Sequence, residues 1–79
     1  MSVPFGKHPT LEQYLYWIEE CGGHLESGVG LQQNYIKITT AEGFHAFVIG
    51  LDRNERLVPT MVNSLDRRLH VTSPWHRFD

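Results

Sequence analysis

Residues 34–50 (NYIKITTAEGFHAFVIG) constrain the fold more than any other part of the chain, because they hold two β-rich runs joined by a short turn. In the first run, Tyr35–Thr40, two isoleucines alternate with other residues, which is the period-two pattern of a half-buried strand. Thr40–Gly43 fits a short hairpin loop in which Gly43 supplies a positive φ. The stretch therefore predicts an antiparallel β-hairpin.

The second run, residues 44–49, is apolar on both of its alternating sides. One side carries Phe44, Ala46 and Val48, and the other carries His45, Phe47 and Ile49. A strand that is apolar on both faces is typical of the middle of a sheet, or of a strand covered by packing on each face. The pattern therefore predicts a central or doubly covered strand.

An amphipathic helix is predicted before the hairpin, over residues 10–21. Thr10 and Gln13 have the spacing of a capping box, and one residue of Gly22–Gly23 takes the left-handed conformation that ends a helix. Apolar residues recur at the i, i+3, i+4 and i+7 positions of one buried stripe. This stripe consists of Leu11, Tyr14, Leu15, Ile18 and Cys21, so Cys21 is predicted to be a small buried hydrophobic residue.

A second helix is predicted after the hairpin. It begins near Pro59 or Thr60, since proline suits the first turn of a helix, and it ends before Ser73–Pro74. Its apolar stripe consists of Met61, Val62, Leu65 and Leu69, whereas Asn63, Asp66, Arg67 and His70 are predicted to lie on the surface.

These elements predict a single small α+β domain of the order α-β-β-β-α, with a two- or three-stranded antiparallel sheet and both helices on one face. The third strand, where the sheet has one, is short and covers His24–Ser27, after which Gly28 and Gly30 are expected to loosen the chain into a loop. Residues 1–9 are predicted to be an irregular lead-in, residues 10–72 the domain, and residues 73–79 a C-terminal tail. A chain of 79 residues leaves room for one core only.

Composition narrows the classes of function. The formal net charge is −2 with seven Lys and Arg residues, which disfavours a general nucleic-acid binder. The lone Cys21 excludes an internal disulfide, and the five histidines lack metal-site spacing, so neither a metal nor a cofactor is expected. The chain has no 18-residue apolar run, and residues 1–10 have no signal-peptide core, so we expect a cytoplasmic protein without a membrane span.

The predicted order of elements resembles the HicA-type toxin fold, which is itself similar to the double-stranded-RNA-binding domain. The resemblance covers roughly Thr10 to Val71, and three segments carry it: the first helix closed by Gly22–Gly23, Gln33–Ile38, and Glu55–Met61. It implies an RNA-cleaving toxin that is held by an antitoxin.

At one position the chain departs from this family. HicA toxins resemble one another in a catalytic histidine at the start of the second strand, and here that position is Tyr35. A tyrosine, with an ordinary pKa of about 10, cannot act as a base near neutral pH as a histidine of about 6.5 can. The resemblance therefore also allows a fold that was kept for binding alone.

The candidate catalytic residues are His24, His45 and Lys37. If the first strand lies beside the hairpin, the two histidines could meet as a general acid–base pair for phosphodiester cleavage, with Lys37 stabilising charge. The alternative is that both histidines have surface or packing roles.

The candidate partner-binding residues are aromatic or basic and fall in two places. Tyr16 and Trp17 cannot both face the core together with Tyr14, so one is expected to be exposed for a protein contact. The tail contributes Trp75, Arg77 and Phe78. The alternatives are that Trp17 packs against Phe5, and that Trp75 and Phe78 fold back to cover the sheet.

A thin basic patch is the candidate nucleic-acid site. It consists of Lys37, Arg53, Arg56, Arg67 and Arg68, if the turn after the hairpin lies beside the last helix. Acidic residues interleave with these cations, so a solvated face of mixed charge is the alternative.

The sequence therefore favours a non-enzymatic interaction module with a protein partner, such as a small inhibitor or adaptor of a larger complex. The alternative is an RNA-binding or RNA-cleaving HicA-like toxin. A homodimer is also compatible with the pattern, because antiparallel sheets with an uncovered edge associate by strand pairing.

Overall fold

The computed structural model of the chain describes residues 8–30 and 33–78. Its elements follow the order α-β-β-β-α, and the three strands form one antiparallel sheet in the order β1-β2-β3. The predicted α+β class is therefore confirmed. Their bounds are α1 Leu11–Glu20, β1 His24–Gly30, β2 Gln33–Thr39, β3 His45–Ile49 and α2 Pro59–Leu69. Most of the predicted lead-in lies outside the described residues.

Helix α1 begins as the sequence predicts. Thr10 is the N-cap, and its side chain and that of Gln13 form both hydrogen bonds of the capping box. Gly22 has φ of +90° just after the helix. The prediction that Cys21 is buried is wrong: it is the C-cap and is exposed, because the backbone leaves the helix after Glu20 and carries position 21 off the stripe.

Replacing the cap residue tests this reading of α1. Thr10→Ala should lower the free energy of unfolding by about 1 kcal/mol, because the Gln13 amide loses the Thr10 hydroxyl as its acceptor. The reciprocal bond, from the residue 10 backbone amide to the Gln13 side chain, needs no side chain at position 10. Urea unfolding followed by circular dichroism measures the change. Thr60→Ala is the control, since Thr60 lies in the first turn of α2 and that helix has no side-chain cap. Equal losses in both variants would contradict the assigned cap.

The sheet is longer than the sequence predicts, because β1 continues through Gly28 and Gly30. A methyl group at position 28 would lie 2.5 Å from the Tyr35 hydroxyl oxygen and 2.7 Å from a ring carbon of Tyr35. The Tyr35 ring therefore occupies the space above Gly28, and this cross-strand contact stabilises a strand that two glycines weaken. In the hairpin turn, Gly43 has φ of +98°, as predicted.

The core lies between one face of the sheet and the two helices. The sheet contributes Ile36 and Ile38 of β2 with Ala46 and Val48 of β3, all buried. The helices contribute their predicted apolar stripes, apart from Cys21 and the partly exposed Met61. Both helices thus cover the same face of the sheet, as predicted.

Strand β3 is at an edge of the sheet, which corrects the prediction of a central or doubly covered strand. Its neighbour is β2 on one side, and the described residues add no strand on the other. On the face away from the helices, Phe47 is 50% exposed and Ile49 is 56% exposed. Two helices suffice for one face of a three-stranded sheet, so the surplus apolar side chains of β3 remain in solvent.

The C-terminal tail packs onto the helices rather than across the sheet. Trp75 is only 9% exposed and belongs to the core cluster. The Asn63 side chain donates to the Arg77 carbonyl oxygen at 2.8 Å and accepts from the Arg77 amide at 2.9 Å, which fixes the chain after Trp75. Neither helix of the described ranges combines the length and the apolar character that crossing a membrane requires.

Candidate functional site

The side of the sheet that faces away from the helices is named the open sheet face. Strand register places its side chains in rows across β1, β2 and β3, because successive residues of a strand point to opposite faces. The described residues of this face that have side chains facing solvent are His24, Glu26, Gln33, Tyr35, Lys37, Thr39, His45, Phe47 and Ile49.

An apolar and aromatic group occupies one half of the open sheet face. The ring centroids of Tyr35 and Phe47 are 6.0 Å apart, and those of His45 and Phe47 are 6.2 Å apart. Ile49 is the register partner of Tyr35 on the neighbouring strand, so it extends the group by one row. Exposed large apolar side chains that form a continuous surface, rather than scattered ones, are typical of an interaction site.

The formal charges on the open sheet face cancel. Counting the histidines as neutral, Glu26 and Lys37 are the charged residues among the described side chains of this face. They are register partners on β1 and β2. The Lys37 Nζ also lies 6.0 Å from the centroid of the Phe47 ring, at the outer limit of a cation–π contact. The face is therefore amphipathic and close to neutral.

The structure brings the candidate catalytic residues to one face but does not pair them. His24 and His45 are both register partners of Thr39, one on each side of it. Two strand spacings separate them by about 10 Å, which is beyond direct proton transfer between the rings. Lys37 lies one row away on β2. In residues 8–30 and 33–78, no group of three or more His, Cys, Asp and Glu residues is arranged to hold a metal ion.

A group of hydrogen-bonded polar side chains, centred on Asp66, is buried between α1, α2 and the tail. This carboxylate is 0% exposed, and its Oδ1 accepts from the Tyr14 hydroxyl at 2.6 Å. Its Oδ2 accepts from the Ser73 amide at 3.0 Å and from the Ser73 hydroxyl at 2.8 Å. The Nδ1 of His76 lies 2.8 Å from the same oxygen, and because a carboxylate only accepts, this nitrogen carries the proton.

This buried group holds the fold together and was missed by sequence reasoning, which placed Asp66 on the surface. Burial, and then the hydrogen bond to Asp66, raise the pKa of the Tyr14 phenol above its ordinary value, so the phenol remains a donor. The signal available in the sequence was the position of Asp66 one residue after Leu65, on the border of the apolar stripe.

The aromatic candidates on α1 and in the tail divide into a pair that packs in or against the core and a pair that is exposed. Trp17 packs at 5.9 Å from Tyr14 and 6.4 Å from Trp75, measured between ring centroids, so both tryptophans are part of the core or its border. The predicted contact of Trp17 with Phe5 lies outside the described residues. Tyr16 is 50% exposed and Phe78 is 79% exposed, and both remain accessible, as does Arg77.

The four candidate arginines form two separate pairs. Arg53 and Arg56 lie in the segment that packs against the start of α1, where the Arg53 carbonyl accepts from the Glu12 amide at 2.8 Å. Arg67 and Arg68 lie in the last turn of α2. This turn is about 12 Å along the helix from Pro59, which follows the first pair closely. None of the four lies on the open sheet face with Lys37.

A cleft of about 370 Å³ lies where the sheet ends beside the loop after β3. Its polar lining includes Ser27, Asn34, Asp52 and Arg53, and it opens widely to solvent. Asp52 and Arg53 are the charged residues of this lining, and their formal charges cancel, so the cleft has no excess charge to attract an ionic ligand.

No match to a protein-family model, to a curated protein or to a solved structure was found for this chain. The resemblance to the HicA-type fold stays a prediction.

Proposed function

We propose that this chain is a non-enzymatic interaction module that binds a protein partner on the open sheet face. The observation that carries the proposal is the exposure of Phe47 and Ile49 on the edge strand β3, whose other face is buried. Tyr35 of the neighbouring strand β2 lies beside them. Removing half-exposed aromatic and aliphatic side chains from water contributes favourable free energy to protein association, and the cost of immobilising the two partners opposes it. A small cytoplasmic inhibitor or adaptor is consistent with this surface.

The charge of the face favours a protein over RNA. Phosphate contacts supply most of the affinity of nucleic-acid binders, and they require clustered cations. On the open sheet face, Lys37 is offset by Glu26, and the four arginines lie elsewhere. A near-neutral aromatic surface instead matches the composition of the centre of a protein interface.

A binding role is also favoured over catalysis by the placement of the candidate groups. His24 and His45 are separated by a strand, and the position that the HicA-type resemblance assigns to a catalytic histidine is Tyr35, whose ring covers Gly28. Tyr35 at this position supports the sheet by packing over Gly28, and it presents an aromatic surface to solvent.

Phe47→Ser should strongly weaken partner binding while the fold remains. Wild type and variants are immobilised at equal density, incubated with an extract of the source organism, and the retained proteins are quantified by mass spectrometry. We expect specific partners to decrease about tenfold or more in Phe47→Ser, the size of effect that loss of a central aromatic contact produces. Circular dichroism melting checks that the variant is folded.

Tyr16→Ser is the matched control, because Tyr16 on α1 and Phe47 are equally exposed, at 50% each. Retention of the partners by Tyr16→Ser with loss in Phe47→Ser supports the open sheet face. Loss in Tyr16→Ser alone would move the site to α1, where the sequence first suggested it.

The RNA alternative has one favourable observation, the pair of aromatic rings at Tyr35 and Phe47 with Lys37 nearby, which resembles a base-stacking surface. Fluorescence anisotropy with labelled single- and double-stranded RNA at two salt concentrations tests it, followed by a denaturing gel of the same samples. Salt-sensitive binding that Phe47→Ser abolishes would replace the protein partner by RNA. Cleavage that is lost in His24→Ala or His45→Ala would make the protein a ribonuclease.

A further inference from the structure

The outer edge of β3 presents unpaired backbone groups. The Gly50 amide donates to the Asn34 carbonyl at 3.0 Å, and the Thr40 amide donates to the Phe44 carbonyl at 2.8 Å. These two bonds flank β3, and the even-numbered residues from Phe44 to Gly50 are therefore the ones that bond to β2. Because bonding directions alternate along an antiparallel strand, His45, Phe47 and Ile49 direct their N–H and C=O groups away from β2. Among the described residues, none of these groups has a hydrogen-bond partner.

The β3 edge also lacks the features that prevent strand pairing. Its sequence, HAFVI, contains no lysine, arginine, acidic residue, proline or glycine. The other edge of the sheet, β1, contains the acidic residue Glu26 and the two strand-weakening glycines Gly28 and Gly30. Two β3 strands can therefore approach each other without opposing like charges, whereas β1 is the poorer edge for pairing.

We propose that a second copy of this chain pairs with the β3 edge, antiparallel and about a two-fold axis through Phe47. In this register Phe47 faces Phe47 of the second copy, and His45 faces Ile49, so every outward group of the three residues is used. The arrangement forms about six hydrogen bonds, two for each residue pair, and it closes on itself. Shifting the register by two residues would leave outward groups unpaired in each copy.

Pairing joins two sheets into one of six strands and two open sheet faces into one continuous surface. The aromatic groups around Phe47 then lie at its centre. A five-residue strand pair is only about 16 Å long, so the contact is at the small end of specific interfaces. We therefore expect dissociation of the dimer at micromolar protein concentration. The pairing depends on the backbone edge and not on the partner proposed for the open sheet face.

Cysteine cross-linking tests the register in the purified full chain. In a Cys21→Ser background, Phe47→Cys places two thiols on residues whose Cα atoms are about 5.5 Å apart, within the range of a disulfide. We expect oxidation to give a disulfide dimer about tenfold faster than in Tyr16→Cys, which has the same exposure as Phe47 in the parent chain. Equal rates for both variants would overturn the proposed pairing.

A second pair of variants separates the backbone edge from the side chains. His45→Pro removes an outward N–H without removing a bond to β2, and His45→Ala removes only the imidazole. Sedimentation velocity at several concentrations should show a dimer for wild type and His45→Ala, and about tenfold weaker dimerisation for folded His45→Pro. If His45→Pro is unfolded, Phe47→Lys, which opposes two like charges at the axis, replaces it. A monomer for wild type at all concentrations would overturn the inference and leave the protein-partner proposal standing, because partner capture is measured separately.

Discussion

Asp66→Ala should lower the free energy of unfolding by about 3–5 kcal/mol, the range for removing one member of a buried, hydrogen-bonded charge network. The carboxylate is the common acceptor of Tyr14, Ser73 and His76, and its loss leaves their donors buried or nearly buried without partners. A domain of this length has roughly 4–12 kcal/mol of stability in total, at about 0.05–0.15 kcal/mol per residue. We therefore expect a variant that is marginally folded at 25 °C in urea titration.

Two further variants separate this network from a general effect of removing charge. Asp52→Ala removes an exposed carboxylate and should change stability by about 0.5 kcal/mol or less. Tyr14→Phe removes one hydrogen bond to Asp66 and should cost about 1.5–3 kcal/mol, less than the loss of the common acceptor. If Asp66→Ala were no more destabilising than Asp52→Ala, the carboxylate would have no role in joining α1, α2 and the tail.

Trp75→Ala is expected to cost about 3–5 kcal/mol, the usual range for truncating a large buried aromatic side chain. Its ring lies 6.2 Å from Tyr14 and 6.4 Å from Trp17, measured between centroids, so truncation removes packing from both aromatic residues of α1. Differential scanning calorimetry should show a melting temperature lower by more than 10 °C, since 1 kcal/mol corresponds to about 4–8 °C in a domain of this size.

Trp75→Phe and Phe78→Ala serve as controls for this prediction. Among the described residues, the buried indole N–H of Trp75 has no hydrogen-bond partner, so phenylalanine loses packing volume but no hydrogen bond, at a cost of roughly 1–2 kcal/mol. Phe78 is 79% exposed, and its truncation should leave the melting temperature nearly unchanged. A Trp75→Ala variant that melts like wild type but no longer captures partners would instead make Trp75 the anchor that the sequence suggested.

Local sequence patterns predict most of the secondary structure. The capping box of Thr10 and Gln13, the turn glycine Gly43 and the proline that opens α2 are all found where the sequence places them. Each of these depends on residues that are within four positions of one another, so the sequence pattern alone contains both partners of the interaction. The α+β class then follows from the order of the elements.

The candidate site could be predicted only in part. The alternation in residues 44–49 correctly separates Phe47 and Ile49 from Ala46 and Val48, but it cannot show that one of the two faces has no cover. Coverage depends on how many layers the domain has and on the order of strands in the sheet. The sequence likewise cannot show how far apart two segments lie in space. The predicted basic patch therefore combined two arginine pairs that are located at opposite ends of α2.

Burial of polar residues is the property that depends most on distant parts of the chain. Asp66 meets Ser73 across seven positions but Tyr14 across 52, so a window around Asp66 does not contain all the donors that make its burial favourable. An unpartnered carboxylate belongs on the surface, and only the approach of α1 and the tail to α2 reverses that preference. Periodicity and caps thus specify the helices and the hairpin, because these depend on neighbours in the chain. The exposed β3 face and the buried Asp66 depend on neighbours in space.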